Sequence, residues 1–363
     1  MVSAKGTPVK NAIRLAESGL IPDALIRVGI RRLLRHRIGE ITPPNSEAAH
    51  RAKRDFLAAM DREAVALFTE EANDQHYELP PTFFSQILGE RRKYSCCYYP
   101  TGGETLDQAE EQMLALYGER AELADSRDIL ELGCGWGSLT LWMAERYPQA
   151  RITAVSNSHG QRRYIEARCR ERRLDNVQVV TCDANEFTAA AESFDRVVSI
   201  EMFEHLRNWR QILAHIDGWL RPQGLVFFHV FCHRRYPYLF EVRDGDDWMS
   251  QHFFTGGLMP SADLFHHFQR DLVVADHWYL NGTHYARTAR HWLENMDRCR
   301  EQILPILNEH YGANQAAVWF QRWRIFFMSC EELWGLDAGE EWGVTHYLLT
   351  KRRVATSTEA AAQ

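Results

Sequence analysis

The spacing of apolar positions changes along this chain, and the changes divide it into zones. From residue 1 to about 90 the apolar residues recur at helical intervals, which predicts a helical N-terminal extension. Pro22 opens one helix, with Leu25, Val28, Leu33 and Leu34 spaced for a single docked face and Arg27, Arg31, Arg32, Arg35 and Arg37 along its rim. Ser46 to Asn73, rich in Ala, Glu, Arg and Phe and free of Gly and Pro, predicts another. Pro80 and Pro81 break that zone, Arg91 to Pro100 reads as an irregular loop rich in aromatics and thiols, and Leu106 to Leu123 resumes a helix.

Beyond Asp128, short apolar runs alternate with helical stretches, the βαβ pattern that predicts a parallel sheet. The runs are Ile129 and Leu130, Arg151 to Val155, Asn176 to Thr181, Phe194 to Ile200 and Gly224 to Phe231. After Phe231 the alternation stops. Cys232 to Gly257 reads as a long irregular segment of the kind that covers a site, followed by a helix around Ala262 to Gln269 and a strand Leu272 to Leu280. Thr288 to Trp334 predicts two or three inserted helices before a last strand, Gly343 to Thr350, and residues 354–363 read as a frayed tail. Seven of the eleven tryptophans lie beyond residue 235, so the cap holds much of the aromatic surface, as packing or as a wall around a substrate.

The stretch from Asp128 to Leu139 is the pivot. A buried strand breaks at Gly133, Gly135 and Gly137 and reopens as a helix from Ser138 to Tyr147, a turn that lets backbone approach a ligand and presents free N–H groups. The spacing G-x-G-x-G, with acidic Glu131 at the strand end, is that of class I S-adenosylmethionine methyltransferases rather than the G-x-G-x-x-G of NAD enzymes. The turn alone leaves another dinucleotide fold or an ordinary glycine turn open.

Composition changes the picture in three respects. The net charge of −7 argues against nucleic acid as a general partner, although residues 1–40 carry eight Lys/Arg against three acidic residues. The plain reading of that basic stretch is a docked helix with a solvated rim, and contact with an anionic membrane is the less favoured one. No apolar run approaches the roughly 20 residues that span a bilayer, the N-terminus lacks a secretory pattern, and the eight cysteines show no C-x-x-C spacing, which together predict a cytoplasmic protein with reduced thiols.

Several separated motifs in order make a stronger case than the turn. Tyr94 to Tyr98 (YSCCY), Glu131 to Gly137, Ser156 to Gln161, Phe203 to His205 (FEH), and Cys232 with His233 resemble the cyclopropane-fatty-acid synthase superfamily of methyltransferases. From about Ala12 to Lys351 the chain most resembles its coclaurine N-methyltransferase branch. The pointers are the doubled Cys96 and Cys97, Glu201 ahead of the FEH triplet, Asp246, Asp247 and Trp248, Met259 to Ser261, and Gly339 to Trp342.

That resemblance implies an α/β fold of the class I methyltransferase type: a Rossmann-like, mostly parallel seven-stranded sheet with a helical N-terminal extension (1–90) and a catalytic domain (91–353) carrying helical cap insertions at about 232–261 and 284–340. It implies S-adenosyl-L-methionine as methyl donor. Tyr94 and Ser95 are then expected to close over the donor, Gly133 and Gly135 to pass beneath its methionine part, Ser156, Asn157 and Gln161 to meet the ribose, Asp183 and Ala184 the adenine, and Ile200 the ring face. The commonest methyltransferase pattern has an acidic residue at the ribose; here amide and hydroxyl groups must serve.

The expected acceptor is a small, isoquinoline-like aromatic amine, and a homodimer is compatible with the family. An aliphatic amine is neutral in only about one part in a thousand at pH 7, a cost of roughly 4 kcal/mol, so a base beside it is useful. The resemblance makes His205 with Glu204 the proton-accepting pair and Glu201 the anchor for the substrate cation. The rival is methyl transfer to unsaturated acyl chains of lipids. In lipid-modifying members a bicarbonate ion is held by positions matching Cys96, Glu204, His229 and a C-terminal tyrosine, which is Phe326 here, and glycine usually stands at the position of Glu201. A carboxylate in an acyl tunnel is costly to desolvate, whereas beside a cationic amine it is compensated. Cys330 reads as a buried, inert thiol, and no cysteine pair has metal-site spacing.

Overall fold

A computed structural model describes residues 6–67, 79–240 and 248–352. The N-terminal helices are α1 (Gly6–Glu17), α2 (Asp23–Ile41), α3 (Ser46–Met60) and α4 (Pro81–Ile87), and α5 (Leu106–Arg120) leads into the sheet. Alternation then follows as expected: β1 (Asp128–Leu132), α6 (Ser138–Arg146), β2 (Arg151–Ser156), α7 (His159–Arg172), β3 (Val177–Thr181), β4 (Phe194–Ile200), α8 (Trp209–Trp219) and β5 (Leu220–His233). The remainder comprises a small ribbon of β6 (Tyr238–Leu239) and β7 (Leu258–Met259) with α9 (Trp248–His252) between them, then β8 (Leu272–Asn281), α10 (Thr283–Arg298), α11 (Arg300–Tyr311), α12 (Ala316–Gly335) and β9 (Trp342–Lys351).

The main sheet has seven strands in the order β3-β2-β1-β4-β5-β9-β8. β1 to β5 are parallel, and β9 runs antiparallel to both β5 and β8. The inner strands are apolar without alternation because helices cover both faces; Ile129, Leu130, Val197 and Val198 are completely buried. Strand order reverses between β1 and β4, which opens a crevice beyond their carboxyl ends, the place where ligands sit in such sheets. Local signals set the helix starts beside it: Thr105 and Gln108 form a reciprocal capping box on α5, and Ser158 caps α7.

Several expectations need correction. The helix expected over Ala262 to Gln269 is a single 3-10 turn, Leu264–His267. The helix expected over Ser46 to Asn73 ends at Met60, with its last part outside the described residues, as are Asp246, Asp247 and the tail. Cys232 and His233 belong to β5 rather than to an irregular segment.

The docked face of α2 is also different. Leu25, Val28 and Leu33 are exposed, while Ile26, Ile30, Leu34 and Ile38, one turn apart, face the core. Polar pairing decides this orientation. Arg27 reaches Glu331 and Glu332 of α12, and Arg31 reaches Glu332, so the rotation that buries the isoleucines also pairs the arginines. The two glutamates and Arg27 are largely buried, so desolvation offsets much of the attraction and the pairs set register more than they add stability.

Candidate active site

One cavity, of about 280 Å³, opens at the crevice between β1 and β4. Its floor is the glycine turn. The N–H groups of Gly133 and Cys134 donate to the carbonyl of Val155 at the end of β2, which holds the turn against the neighbouring strand. Gly133 (φ +79°) and Gly135 (φ +52°) both require the left-handed region, but their surroundings differ. A Cβ on Gly133 would lie 2.7 Å from Met202, whereas a Cβ on Gly135 would meet nothing within 4 Å. The space above Gly135 is open and belongs to the cavity.

Three buried polar atoms on the cavity wall have no hydrogen-bond partner among the described residues: Trp136 Nε1, Ser138 Oγ and Gln161 Nε2. Buried groups of this kind are normally satisfied, so their convergence on one cavity fits a polar cofactor there. The three residues expected at the ribose lie together on the cavity wall. Ser158 caps α7, which leaves Ser156 to donate to Gln161 Oε1 at 2.6 Å and turns the Gln161 amide nitrogen toward the cavity; Ser156, Asn157 and Gln161 all line it. Ala184 and Cys182 line the β3 side, while the Asp183 carboxylate accepts from the Asn185 backbone and side chain and shapes the following turn. Tyr94, Ser95 and Ile200 complete this half. Glu131 also lines it, and burial, partly offset by a hydrogen bond from Thr140, pushes its carboxyl up to about 8.

The other half lies beyond β4. Glu201 sits in the left-handed region at φ +48°, unusual for a residue with a side chain, and its N–H donates to the His229 carbonyl at 2.8 Å. That conformation aims the carboxylate into the cavity. Oε1 accepts from Cys96 N (2.9 Å) and meets His229 Nε2 (3.0 Å), and Oε2 accepts from Tyr285 Oη (2.7 Å). Burial raises its pKa, opposed by the charge of Lys93, itself 1% exposed, and by the Cys96 N–H.

His205 lines the same wall with its ring against Phe254, centroids 4.9 Å apart. Its exposed edge faces the cavity rather than bulk water, and that desolvation pushes its pKa down to about 4, against the raising effect of Glu201's charge. Glu204 is completely buried; Oε1 accepts from Phe231 N at 2.7 Å, and Oε2 has no hydrogen-bond partner among the described residues. Burial and then the charge of Glu201 drive Glu204 well above the usual carboxylate range, toward the neutral acid. The carboxylate whose charge acts on His205 is thus Glu201.

Around these groups stands an aromatic chamber from the end of β5 and the cap: Phe231, Phe240, Phe254, Trp292, and Tyr285 stacked on Trp334 at 4.7 Å and 5°. Cys330 lines it as a neutral thiol, pushed up to about 12 by burial and by Glu201. Trp136 and Ser138 escaped the sequence reading although they lie inside the glycine motif itself. Lys93 and Tyr285 carry no local signal, because only the packing of α10 and of the 91–100 segment onto the end of β4 brings them to Glu201.

A Rossmann-like sheet with one antiparallel strand, a G-x-G-x-G turn under open space and a ring of unpartnered donors define an S-adenosylmethionine-dependent methyltransferase. The family described as Mycolic acid cyclopropane synthetase matches residues 68–337, and the chain belongs to it. It is 36% identical over 355 residues to an (S)-coclaurine N-methyltransferase of Thalictrum flavum subsp. glaucum, covering 97% of this chain and 98% of that one. A crystal structure of coclaurine N-methyltransferase bound to N-methylheliamine and SAH superposes with a TM-score of 0.91 at 37% identity, covering 94% of this chain and 99% of the other. The cyclopropane-fatty-acyl-phospholipid synthase of Escherichia coli (strain K12) is more distant, 27% identical over 70% of this chain and 66% of that one.

Proposed function

We propose that the protein methylates the nitrogen of a small aromatic amine. The observation that carries this is the Glu201 carboxylate, aimed into an aromatic chamber and holding the donors of Cys96, His229 and Tyr285. Cys96 and His229 are two of the positions that the resemblance assigns to bicarbonate in lipid-modifying members; here both address a carboxylate of the chain itself. A buried anion among aromatic rings suits a cation with an aromatic body and is costly beside an acyl chain. The N-methyltransferase relatives support the same reading.

The glycine turn, Ser138, Ser156, Asn157, Gln161 and Ala184 would hold S-adenosylmethionine, with Tyr94 and Ser95 closing over it, Ile200 against the ring face and Asp183 shaping the loop. When bound, it supplies a methyl group already activated on a sulfonium. Glu201 draws in the ammonium and orients its nitrogen. His205, neutral at working pH, accepts the proton that the nitrogen must lose, and Glu201's charge raises its proton affinity. Glu204, expected to be the partner of His205, serves as a neutral neighbour tied to Phe231. The eight free cysteines support a reducing, cytoplasmic setting.

The direct test incubates the protein with S-adenosylmethionine and either secondary aromatic amines or unsaturated phospholipid, with products fragmented in the mass spectrometer. The expected product carries its new methyl on nitrogen; turnover of the lipid alone overturns the reading. Glu201→Gln is expected to raise KM for the amine about 10- to 100-fold, the loss of a charge-assisted contact, with a smaller effect on kcat. The pH profile supplies another check. His205, with its pKa lowered to about 4, stays neutral as pH falls through 6.5, so kcat is expected to hold across that range and to fall only as pH nears 4 to 5. A step in kcat near pH 6.5 that disappears on replacing His205 would contradict the assignment.

A further inference from the structure

A row of buried polar groups crosses the sheet beneath the cavity, and the reaction described above uses only its last two members, His229 and Glu201. Ile200 pairs with His229, His229 with His346 and His346 with Trp278, so one register row runs through β4, β5, β9 and β8. Both histidines are completely buried. At the outer end Arg120 of α5 lies over the Trp278 ring at 4.7 Å and places Nη1 2.7 Å from His346 Nδ1. His346 Nε2 is 2.9 Å from His229 Nδ1, Tyr117 Oη lies 2.8 Å from that same nitrogen, and His229 Nε2 is 3.0 Å from Glu201 Oε1.

The direction of this chain of hydrogen bonds follows from its outer end. A guanidinium has donors and no acceptor, so His346 Nδ1 accepts and its proton resides on Nε2. That proton is donated to His229 Nδ1, which leaves His229 protonated on Nε2 and donating to Glu201. From Arg120 through both histidines to Glu201 the donors point inward, and Tyr117 Oη shares the one lone pair of His229 Nδ1 with His346 Nε2. Such a chain does not conduct a proton away from Glu201, because the nitrogen facing the carboxylate already carries hydrogen and arginine does not give its own up. Its effect is to favour the ionised carboxylate and fix where it points.

We infer that Arg120, acting through His346 and His229, is a positioning residue that sets the charge state and aim of Glu201 and thereby the affinity for the amine. The inference rests on Glu201 being the amine anchor. Other groups also face that carboxylate. Lys93 favours its charge, as does His205 when protonated, and Glu204 opposes it when ionised. Tyr117, Tyr285, Cys96 and Cys330 are held neutral by burial, so they do not titrate where the experiment reads.

The experiment compares the full-length enzyme with Arg120→Leu and Arg120→Lys, using 1,2,3,4-tetrahydroisoquinoline as acceptor from pH 5.5 to 9.5. For Arg120→Leu, the acid limb of KM is expected to move up by about one pH unit, so that KM rises by up to about tenfold on the acid side of the limb and the defect shrinks toward pH 9. Saturated kcat stays within about threefold, and calorimetric affinity for S-adenosylhomocysteine is unchanged. Lysine, still a cationic donor, recovers most of the loss. In a Glu201→Gln background, Arg120→Leu adds less than about twofold, since no carboxylate is left to set. If the leucine variant does not fold, Arg120→Gln, too short to reach His346, is expected to show the same shift. An unmoved acid limb, or the same tenfold penalty on top of Glu201→Gln, overturns the inference while leaving the anchor intact; a Glu201→Gln enzyme with unchanged KM overturns the anchor reading itself.

Discussion

His205→Ala lowers kcat by 10² or more at pH 7 and leaves the affinity for S-adenosylhomocysteine nearly unchanged. The two effects separate because the expected donor pocket is built from the glycine turn and the ends of β2 and β3, whereas His205 lies on the far wall against Phe254. General-base assistance is worth roughly 10² to 10⁴ in rate, and the imidazole, desolvated to a pKa of about 4, is always in the accepting form. Raising the pH toward the amine's own pKa recovers part of the loss, since the substrate then arrives deprotonated. Steady-state rates from pH 6.5 to 10 with calorimetry beside them decide the matter. A variant with normal turnover at pH 7, or a defect of constant size up to pH 10, shows that the ring is structural.

The second large effect divides two glycines that look equivalent in the sequence. Gly133→Ala forces a methyl to 2.7 Å from Met202 Cβ and Cγ at φ +79°, so it combines left-handed strain with overpacking, together about 2 to 5 kcal/mol. Met202 follows Glu201 directly, so any shift that relieves the overlap moves the carboxylate. The expected result is a thermal midpoint lowered by several degrees together with impaired turnover. Gly135→Ala carries the same kind of backbone strain but has open space above it. It should affect stability less and weaken S-adenosylhomocysteine binding more, by about tenfold, because its methyl enters ligand space. Differential scanning fluorimetry with and without ligand distinguishes the two; equal melting shifts for both would mean that the turn tolerates the contact with Met202.

The fold was readable where signals are local. Strands β1 to β5 are apolar runs buried on both faces, so short runs bounded by turns located them, and the glycine turn marked the crevice because turn and ligand contact occupy the same few residues. The orientation of α2 was not readable, since Leu25, Val28 and Leu33 are as apolar as Ile26, Ile30 and Leu34. What distinguishes the two faces is Glu331 and Glu332, some three hundred residues further on. The same reason hid the inner face of the site. Glu201, Glu204 and His205 are neighbours in sequence, but their different roles arise from Phe231, Tyr285 and His229, which reach them by sheet register and helix packing.

The placement of β9 also governs when the site can first exist. The strand that carries His346 is the last among the described residues, yet it lies inside the sheet, between β5 and β8. During synthesis Glu201 leaves the ribosome 145 residues before His346 does, and the glycine turn earlier still, an interval of roughly 7 to 30 s for Glu201 at ordinary elongation rates. Through that interval β5 waits with an unpaired edge, and the nascent enzyme has its cofactor floor but not the neighbour that orders His229. A chain cut short before residue 342 lacks the strand that carries His346, the neighbour that orders His229 against Glu201, while Cys96 and Tyr285 still reach the carboxylate, however well its Rossmann half has folded.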